Sequence, residues 1–342
     1  TDDDGLSDGV EVNISCTDVF TPDTDSDGLL DGVEDGNTNG TQDAGETDPC
    51  DSDSDDDTLT DGLEGNTLGT DPLLWDTDSD GMGDALEVNV SCTDALLQDT
   101  DNDGLIDGAE DGNTNGTQDA GETDPCDWDT DNDGMSDGLE VNTSCTDALQ
   151  ADSDSDGLDD GVEDGNTNGV QDPGETDPCD PDSDNDLLDD GLEASYCTSG
   201  TNPDSDGDGL CDGSTNVSFG STTCIAGEDM NNNGVQDAGE TDPCDWDSDG
   251  DNLDDQLEKS YCTDALNADS DGDGLCDGDT DVASVCDAGE DLDTDGVVDP
   301  TEPDPCVVDT DGDGLSDGDE VLVHFTNPRS PDSDGDGMPD LW

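Results

Sequence analysis

Basic residues are nearly absent from this chain: 2 Lys plus Arg stand against 103 Asp plus Glu in 342 residues, a formal charge of −101. Phosphate backbones are held through Lys and Arg, so nucleic acid is excluded as a partner. The single histidine, His324 in VLVHFTNP, leaves no material for histidine catalysis or a His-rich zinc site and reads as a connector residue. Hydrophobic residues make up 26% and aromatics 3%. That is too little apolar surface to offset the entropy of ordering, and without other support such a chain is an acidic disordered tail. No apolar run approaches the roughly 18 residues of a membrane span, so no transmembrane segment is expected. No signal peptide is visible and the chain starts at Thr1, which reads as a mature or excerpted secreted chain. Walker A, GxGxxG and HExxH patterns are missing, and no catalytic constellation stands out, so the chain is not expected to be an enzyme.

What the chain has is oxygen donors in fixed phase, which a disordered tail does not keep. From Asp23 to Glu46 two twelve-residue loops run end to end, DTDSDGLLDGVE and DGNTNGTQDAGE. Side-chain oxygens stand at positions 1, 3, 5, 9 and 12, with Gly at 6. A hard divalent cation takes this set when a short loop curls round it. Gly at position 6 reaches φ > 0 without a Cβ clash, the position 7 carbonyl adds a ligand, and the Glu at 12 is bidentate. Ca²⁺ accepts about six to eight oxygens in flexible geometry, whereas Mg²⁺ demands an octahedron and keeps its waters. Calcium is therefore the expected cofactor, with up to about eighteen ions, one per loop.

The Asp-rich loops present Asp23, Asp25, Asp27, Asp31 and Glu34, then Asp53, Asp55, Asp57, Asp61 and Glu64, then Asp76, Asp78, Asp80, Asp84 and Glu87. Next come Asp99, Asp101, Asp103, Asp107 and Glu110, followed by Asp129, Asp131, Asp133, Asp137 and Glu140, and by Asp152, Asp154, Asp156, Asp160 and Glu163. Further on lie Asp182, Asp184, Asp186, Asp190 and Glu193, Asp247, Asp249, Asp251, Asp255 and Glu258, and Asp309, Asp311, Asp313, Asp317 and Glu320. Asp2, Asp4, Asp8 and Glu11 form a loop lacking its first ligand, and Asp332, Asp334, Asp336 and Asp340 one lacking its last.

Two loops, Asp204, Asp206, Asp208 and Asp212, and Asp269, Asp271, Asp273 and Asp277, carry Thr215 and Thr280 at position 12. A Thr cannot replace a bidentate carboxylate, so Glu228 and Glu290 are candidates to fold back into those gaps. The tandem loops are Asn-rich: Asp35, Asn37, Asn39, Asp43 and Glu46; Asp111, Asn113, Asn115, Asp119 and Glu122; Asp164, Asn166, Asn168, Asp172 and Glu175; Asp229, Asn231, Asn233, Asp237 and Glu240. Asp291, Asp293, Asp295, Asp299 and Glu302 occupy the same place in an Asp-rich version. With fewer carboxylates, the Asn-rich sites are expected to bind more weakly. Thr58, Leu187 and Asn252 replace Gly at position 6 and should strain those turns.

Spacing is regular: 53 residues separate Asp76 from Asp129 and Asp129 from Asp182, and 23 separate Asp53 from Asp76 and Asp309 from Asp332. The chain therefore reads as one continuous array, 1–342, in which each repeat touches mainly its neighbours. The repeats are 1–52 long, 53–75 short, 76–128 and 129–181 long, 182–246 and 247–308 expanded, 309–331 short and 332–342 partial. Apolar residues at loop positions 7 and 11, such as Leu29 and Val33, share one side of a helical turn. The expected fold has few regular elements: short one- or two-turn helices at the ends of Asp-rich loops, extended connectors and small apolar clusters. Trp75, Trp128 and Trp246 precede Asp-rich loops and are expected to pack against the adjacent repeat.

The 14 cysteines fall in even numbers within repeats, and the short repeats hold none. That argues for pairing within repeats, although sequence alone leaves connectivity open. The pairing expected is Cys16–Cys50, Cys92–Cys126, Cys145–Cys179, Cys197–Cys244 and Cys262–Cys306, with inner pairs Cys211–Cys224 and Cys276–Cys286 in the expanded repeats. A bridge closing such a loop stabilises by roughly 4 kcal/mol. Zinc binding by these thiols is the alternative, set against missing CxxC spacing and His partners. Disulfides imply an oxidising, extracellular compartment. Asn13, Asn89 and Asn142 match N-x-[ST] at equivalent places and are glycosylation candidates, while Asn39 and Asn115 also match but are expected ligands. Asn216 is the remaining match.

The DxDxDGxxDxxE loops with their T-[DN]-P connectors (Thr70-Asp71-Pro72, Thr201-Asn202-Pro203, Thr326-Asn327-Pro328) resemble thrombospondin type 3 repeats, particularly those of bacterial and archaeal surface proteins. DGDGLCD at 206–212 and 271–277 looks like the cysteine-bearing loops of that family. The resemblance implies an elongated, calcium-stabilised array of EF-hand-loop-like motifs with a structural or adhesive role outside the cell. The Asn-rich loops and the 53-residue repeat depart from the family pattern, and Pro22 stands where an EF-hand's incoming helix would continue. The function expected is a rigid stalk or filament subunit. Its partners would be calcium ions, cell-surface or matrix partners, or the chain itself end to end, because both ends cut through a loop. The other classes are an acidic calcium-buffering or mineral-binding protein and the linker of a larger secreted enzyme.

Overall fold

The computed structural model describes residues 2–219 and 222–341. The chain forms two compact bodies, Thr1–Ser153 with Asp159–Val170 and Asp154–Leu158 with Gln171–Trp342. Regular structure is sparse, and most of it sits at the ends of the Asp-rich loops. The helices are α1 (Asp8–Asn13), α2 (Asp31–Glu34), α3 (Asp61–Leu63), α4 (Asp84–Asn89), α5 (Asp107–Glu110), α6 (Asp137–Asn142), α7 (Asp160–Glu163), α8 (Asp190–Ser195) and α9 (Asp255–Ser260). Each begins at the position 9 Asp, and all but α3 carry the position 12 Glu in the first turn, where negative charge suits the helix dipole. The preceding residue is extended, as Leu30 (ψ 141°) and Ser136 (ψ 144°) show, so the helix starts abruptly at the Asp.

The start point is set by a closing hydrogen bond. The position 9 N–H donates to the carbonyl just before position 1: Asp31 to Pro22 (3.1 Å), Asp84 to Trp75 (3.0 Å), Asp137 to Trp128 (3.1 Å). The loop is thereby tied into a ring before any cation enters. In the two short repeats a π-helical turn comes next, Glu64–Leu68 and Asp319–His324, ended by Gly69 and Phe325 in the left-handed region. These turns stand where long repeats carry the tandem loop. A small sheet fills the insert of the first expanded repeat. There β1 (Leu210–Cys211) pairs in parallel with β3 (Thr222–Ala226), and β2 (Val217–Phe219) pairs with β3 antiparallel.

The core is built from position 7. Leu59, Met82, Met135, Leu188, Leu210, Leu253, Leu275 and Leu315 are buried. Position 11 is not: Val33 and Val162 stay exposed, so the four-residue spacing does not make a two-residue apolar stripe. Trp75 lies over Gly83 and lines a cavity with Asp55, Asp56 and Asp57 of the preceding loop, and Trp75, Trp128 and Trp246 remain about half exposed. The most deeply buried large side chains otherwise include glutamates, Glu64, Glu140, Glu193, Glu228, Glu258 and Glu290.

Many successive Asp-rich loops are joined by one repeated contact. The second carboxylate oxygen of the position 5 Asp accepts the position 10 N–H of the next Asp-rich loop. Gly62 donates to Asp27 (2.6 Å), Gly191 to Asp156 (2.7 Å), Gly213 to Asp186 (2.6 Å) and Gly278 to Asp251 (2.7 Å). A Cβ on these glycines would run into the carbonyl oxygen of the same Asp. Ala85 and Leu341 also make the bond from this position, at 3.2 Å to Asp57 and 3.3 Å to Asp313, and Gly161 makes it to Asp133 at 3.2 Å. Gly62→Ala should push the two loops apart and lower stability by about 1–3 kcal/mol. Thermal unfolding of the whole chain in calcium checks this; an unchanged midpoint would reject the contact as a determinant of packing.

Candidate metal centres

Each Asp-rich loop holds its acids by turns of its own backbone. The position 3 Asp accepts the position 5 N–H (Asp25 from Asp27, 3.3 Å) and the position 5 Asp accepts the position 7 N–H (Asp27 from Leu29, 2.7 Å). The position 1 Asp accepts the position 6 N–H (Asp23 from Gly28, 3.2 Å). Asp23 and Asp25 thus each use one oxygen as a strut and turn the other inward, whereas both Asp27 oxygens are taken, by Leu29 and by Gly62 of the next loop. Where Gly is replaced at position 6, Thr58, Leu187 and Asn252 still take positive φ (89°, 80° and 77°), so the turn geometry overrides the residue preference.

The inward oxygens find no partner. Asp25 Oδ2, Asp55 Oδ2, Asp78 Oδ2, Asp131 Oδ2 and Asp249 Oδ2 are buried without a hydrogen bond. So are both carboxylate oxygens of Glu87, Glu140, Glu193 and Glu258. In other loops the connector Thr satisfies one oxygen of the Glu: Thr47 donates to Glu34 (3.2 Å), Thr70 to Glu64 (3.1 Å) and Thr123 to Glu110 (3.0 Å), leaving Oε2 bare. A buried carboxylate without a donor or cation is strongly unfavourable. All the donors are hard oxygens, as a Ca²⁺ site demands. The residues present therefore fit calcium.

The loop at Asp182 shows the electrostatics most clearly. Burial, then Asp184, Asp186, Asp212 and Asp190, push Glu193 up to about 10. Burial and Asp186 likewise push Asp184 up to about 8. Burial with Asp249, Asp251, Asp277 and Asp255 takes Glu258 to about 10, and burial with Asp25 and Asp27 takes Glu34 to about 8. Asp212 and Asp277 belong to the next loop, so each centre also feels the position 9 carboxylate of its successor.

Position 9 itself is a strut. Both Asp31 oxygens are occupied by Thr24 at position 2, through its N–H (2.7 Å) and hydroxyl (2.7 Å). Ser54–Asp61, Thr77–Asp84, Thr130–Asp137 and Ser248–Asp255 repeat the arrangement. The same hydroxyl accepts the connector N–H, as Thr24 does from Asp18 (3.1 Å) and Ser54 from Asp48 (3.0 Å). Sequence reasoning missed these hydroxyls and the position 10 glycines. The signal was there, since position 2 is Ser or Thr in loop after loop.

The Asn-rich loops are built differently. Asn37 turns its amide nitrogen to Asp43 (3.0 Å) and Glu46 (2.9 Å), and Asn39 does so to Asp43 (2.8 Å). Asn113 and Asn231 make the same bonds to Asp119, Glu122, Asp237 and Glu240. Here the position 9 acids are exposed, the position 1 acids such as Asp35 are buried, and amides already satisfy the acids at positions 9 and 12, which a cation must displace.

Glu228 lies beside Asp206, Asp208 and Asp212, and Glu290 beside Asp273, Asp271 and Asp277, so both reach the loops that lack a twelfth ligand. The structure pairs Cys16–Cys50, Cys92–Cys126, Cys197–Cys244, Cys211–Cys224, Cys262–Cys306 and Cys276–Cys286. Cys145 and Cys179 are disulfide-bonded too. Groupings such as Cys16, Asp48 and Cys50 contain disulfide sulfur, which is not a thiolate, so zinc has no ligands there. Asn13, Asn89 and Asn142 close α1, α4 and α6 with exposed amides that donate to the carbonyl four residues back (2.8 Å each).

Acids whose pKa is raised in the fold keep protons that the unfolded chain releases. Without metal, stability is therefore present below the ordinary glutamate value of 4.5 and is lost as pH rises toward 8–10. In EDTA the melting temperature should fall between about pH 5 and pH 8, and in excess calcium it should not; a rise with pH in EDTA would refute this. In a calcium titration of the whole chain read by native mass spectrometry, Glu140→Gln should remove an ion from the tight class and Glu122→Gln one from the weak class. The reverse order would overturn the ranking of Asp-rich over Asn-rich loops.

The profile of the bacterial TSP3 repeat matches residues 1–18, 129–147 and 309–328. The chain matches no curated protein and no solved structure. The three matched stretches are equivalent pieces of Asp-rich loops with their helices and connectors, Glu11, Glu140 and Glu320 each standing at position 12. Repeats of this kind bind calcium, and in these three stretches the chain is similar to the thrombospondin type 3 repeat.

Proposed function

We propose that this is an extracellular structural or adhesive protein, a stalk or filament subunit whose fold depends on many bound Ca²⁺ ions. The observation that carries it is the set of fully buried position 12 glutamates whose carboxylate oxygens lack any partner, as in Glu140, Glu193 and Glu258. In a chain with −101 formal charge, such groups are tolerable only beside cations, so binding energy is folding energy. The residues available for chemistry are used up in holding loops closed. Disulfides in repeat after repeat fit an oxidising compartment outside the cell. Among the described residues no helix is long and apolar enough to cross a membrane. The exposed Asn13, Asn89 and Asn142 amides would be open to N-linked glycans on such a surface protein.

The test is removal of the metal. Native mass spectrometry of the disulfide-intact chain in calcium should show many bound ions. EDTA should then expand the chain in small-angle scattering and open the loops to protease, reversibly on adding calcium back. Dimensions and protease resistance unaffected by EDTA would sink the proposal. Electron micrographs in calcium would show rigid rods or filaments if the stalk reading is right, and compact monomers if it is wrong.

A further inference from the structure

The loops at Asp204 and Asp269 differ from the others in how a carboxylate reaches position 12. Elsewhere one helical turn carries the chain from the position 9 Asp to the Glu. Here no helix continues from Asp212 or Asp277, and Thr280 turns away, its N–H donating to the Asp251 carbonyl (2.9 Å). The acid that fills the gap comes from beyond an insert. Glu228 and Glu290 are each 0% exposed, and neither has a hydrogen-bond partner on either carboxylate oxygen.

Both glutamates are delivered by the same construction, although the inserts differ in length and sequence. The returning segment lies alongside positions 6 to 9 of the loop. Ile225 N–H donates to Gly209 O (3.0 Å), Glu228 N–H to Cys211 O (3.2 Å) and Asp229 N–H to Asp212 O (2.8 Å). In the second repeat Asp287 N–H donates to Gly274 O (3.0 Å), Glu290 N–H to Cys276 O (2.9 Å) and Asp291 N–H to Asp277 O (3.0 Å). A disulfide pins each register from position 8: Cys211–Cys224, spanning 13 residues, and Cys276–Cys286, spanning 10. All four cysteines are buried. In the first repeat the chain's only lysine adds a clamp, Lys259 Nζ donating to Gly227 O (2.7 Å) beside Glu228.

We propose that the Cys211–Cys224 and Cys276–Cys286 bridges are positioning devices for two non-contiguous calcium sites, closed by Glu228 and Glu290, and that calcium retention there requires the bridge to be intact. This rests on the proposed calcium-dependent fold. A flexible insert would present its glutamate at low effective concentration, and the bridge removes that freedom. The outer bridges close whole long or expanded repeats, whereas these two act inside a single coordination loop.

The experiment uses the full chain with its other disulfides formed. Calcium stoichiometry is read by native mass spectrometry at limiting calcium, and hydrogen exchange is read over 223–229 and 287–291. Cys211→Ser with Cys224→Ser should weaken one site about tenfold or more and remove one ion from the tight class, with exchange rising only in 223–229. Cys276→Ser with Cys286→Ser should do the same at 287–291. Glu228→Gln and Glu290→Gln, which keep the bridges, should each remove the same single ion without raising exchange in calcium-free buffer. If wild type holds many ions and the bridge variants keep them all, the bridges have no such role and the calcium reading stands. If the bridge variants shed ions across the array, the effect is not local and the proposal fails. If wild type binds no calcium, the functional reading falls and this inference with it.

Discussion

Burying a carboxylate oxygen that no donor reaches is among the least favourable things a fold can do without a cation, and this protein does it in loop after loop. Apolar side chains at position 7 give many of the loops one buried Leu or Met, far short of what ordering such a chain costs. The remaining stabilisation comes from ion coordination and crosslinks. The interior is thus inverted relative to an ordinary domain: acids such as Glu193 and Glu258 lie at the centre, while valines such as Val33 and Val162 stay outside.

That constraint explains the hydrogen-bonding within a loop. A carboxylate has two oxygens, and at position 3 of most loops the backbone takes one and leaves the other bare, as the connector threonines do for several glutamates, while at position 5 the second oxygen goes to the next loop. At position 9 of most loops both oxygens are consumed, by the position 2 N–H and hydroxyl, so this Asp sets the loop's shape. Its charge still acts on the preceding centre, as Asp212 does on Glu193. Together with the position 5 to position 10 bond, this links each centre to the next loop within a body and makes neighbouring sites energetically coupled.

Repeats differ mainly in the segment that comes after position 12. A tandem Asn-rich loop, a π-helical turn at 64–68 and 319–324, or a disulfide-held insert can all occupy that place. In the Asp-rich loops the buried carboxylate is retained through these changes, even when it has to be supplied from 24 or 21 residues beyond the first ligand, as by Glu228 for Asp204 and Glu290 for Asp269. Carboxylate placement is the invariant, and chain connectivity adapts to it.

The sequence by itself determined the loop frame, the short helices and the cysteine partition, because each loop's ligands lie within twelve residues and their spacing dictates how the backbone curls. Position 2 and position 10 were visible as Ser/Thr and Gly, yet their meaning was not, since one acts across the loop and the other on the loop before it. Only the tertiary structure decided that position 7 is buried in loops such as those of Met82 and Met135 while Val33 and Val162 at position 11 stay exposed, and that Trp75 rests on Gly83. It alone brought Glu228 and Glu290 back to loops from which an insert separates them. Those outcomes depend on packing between segments far apart in the chain, where a local repeat pattern carries no information about register.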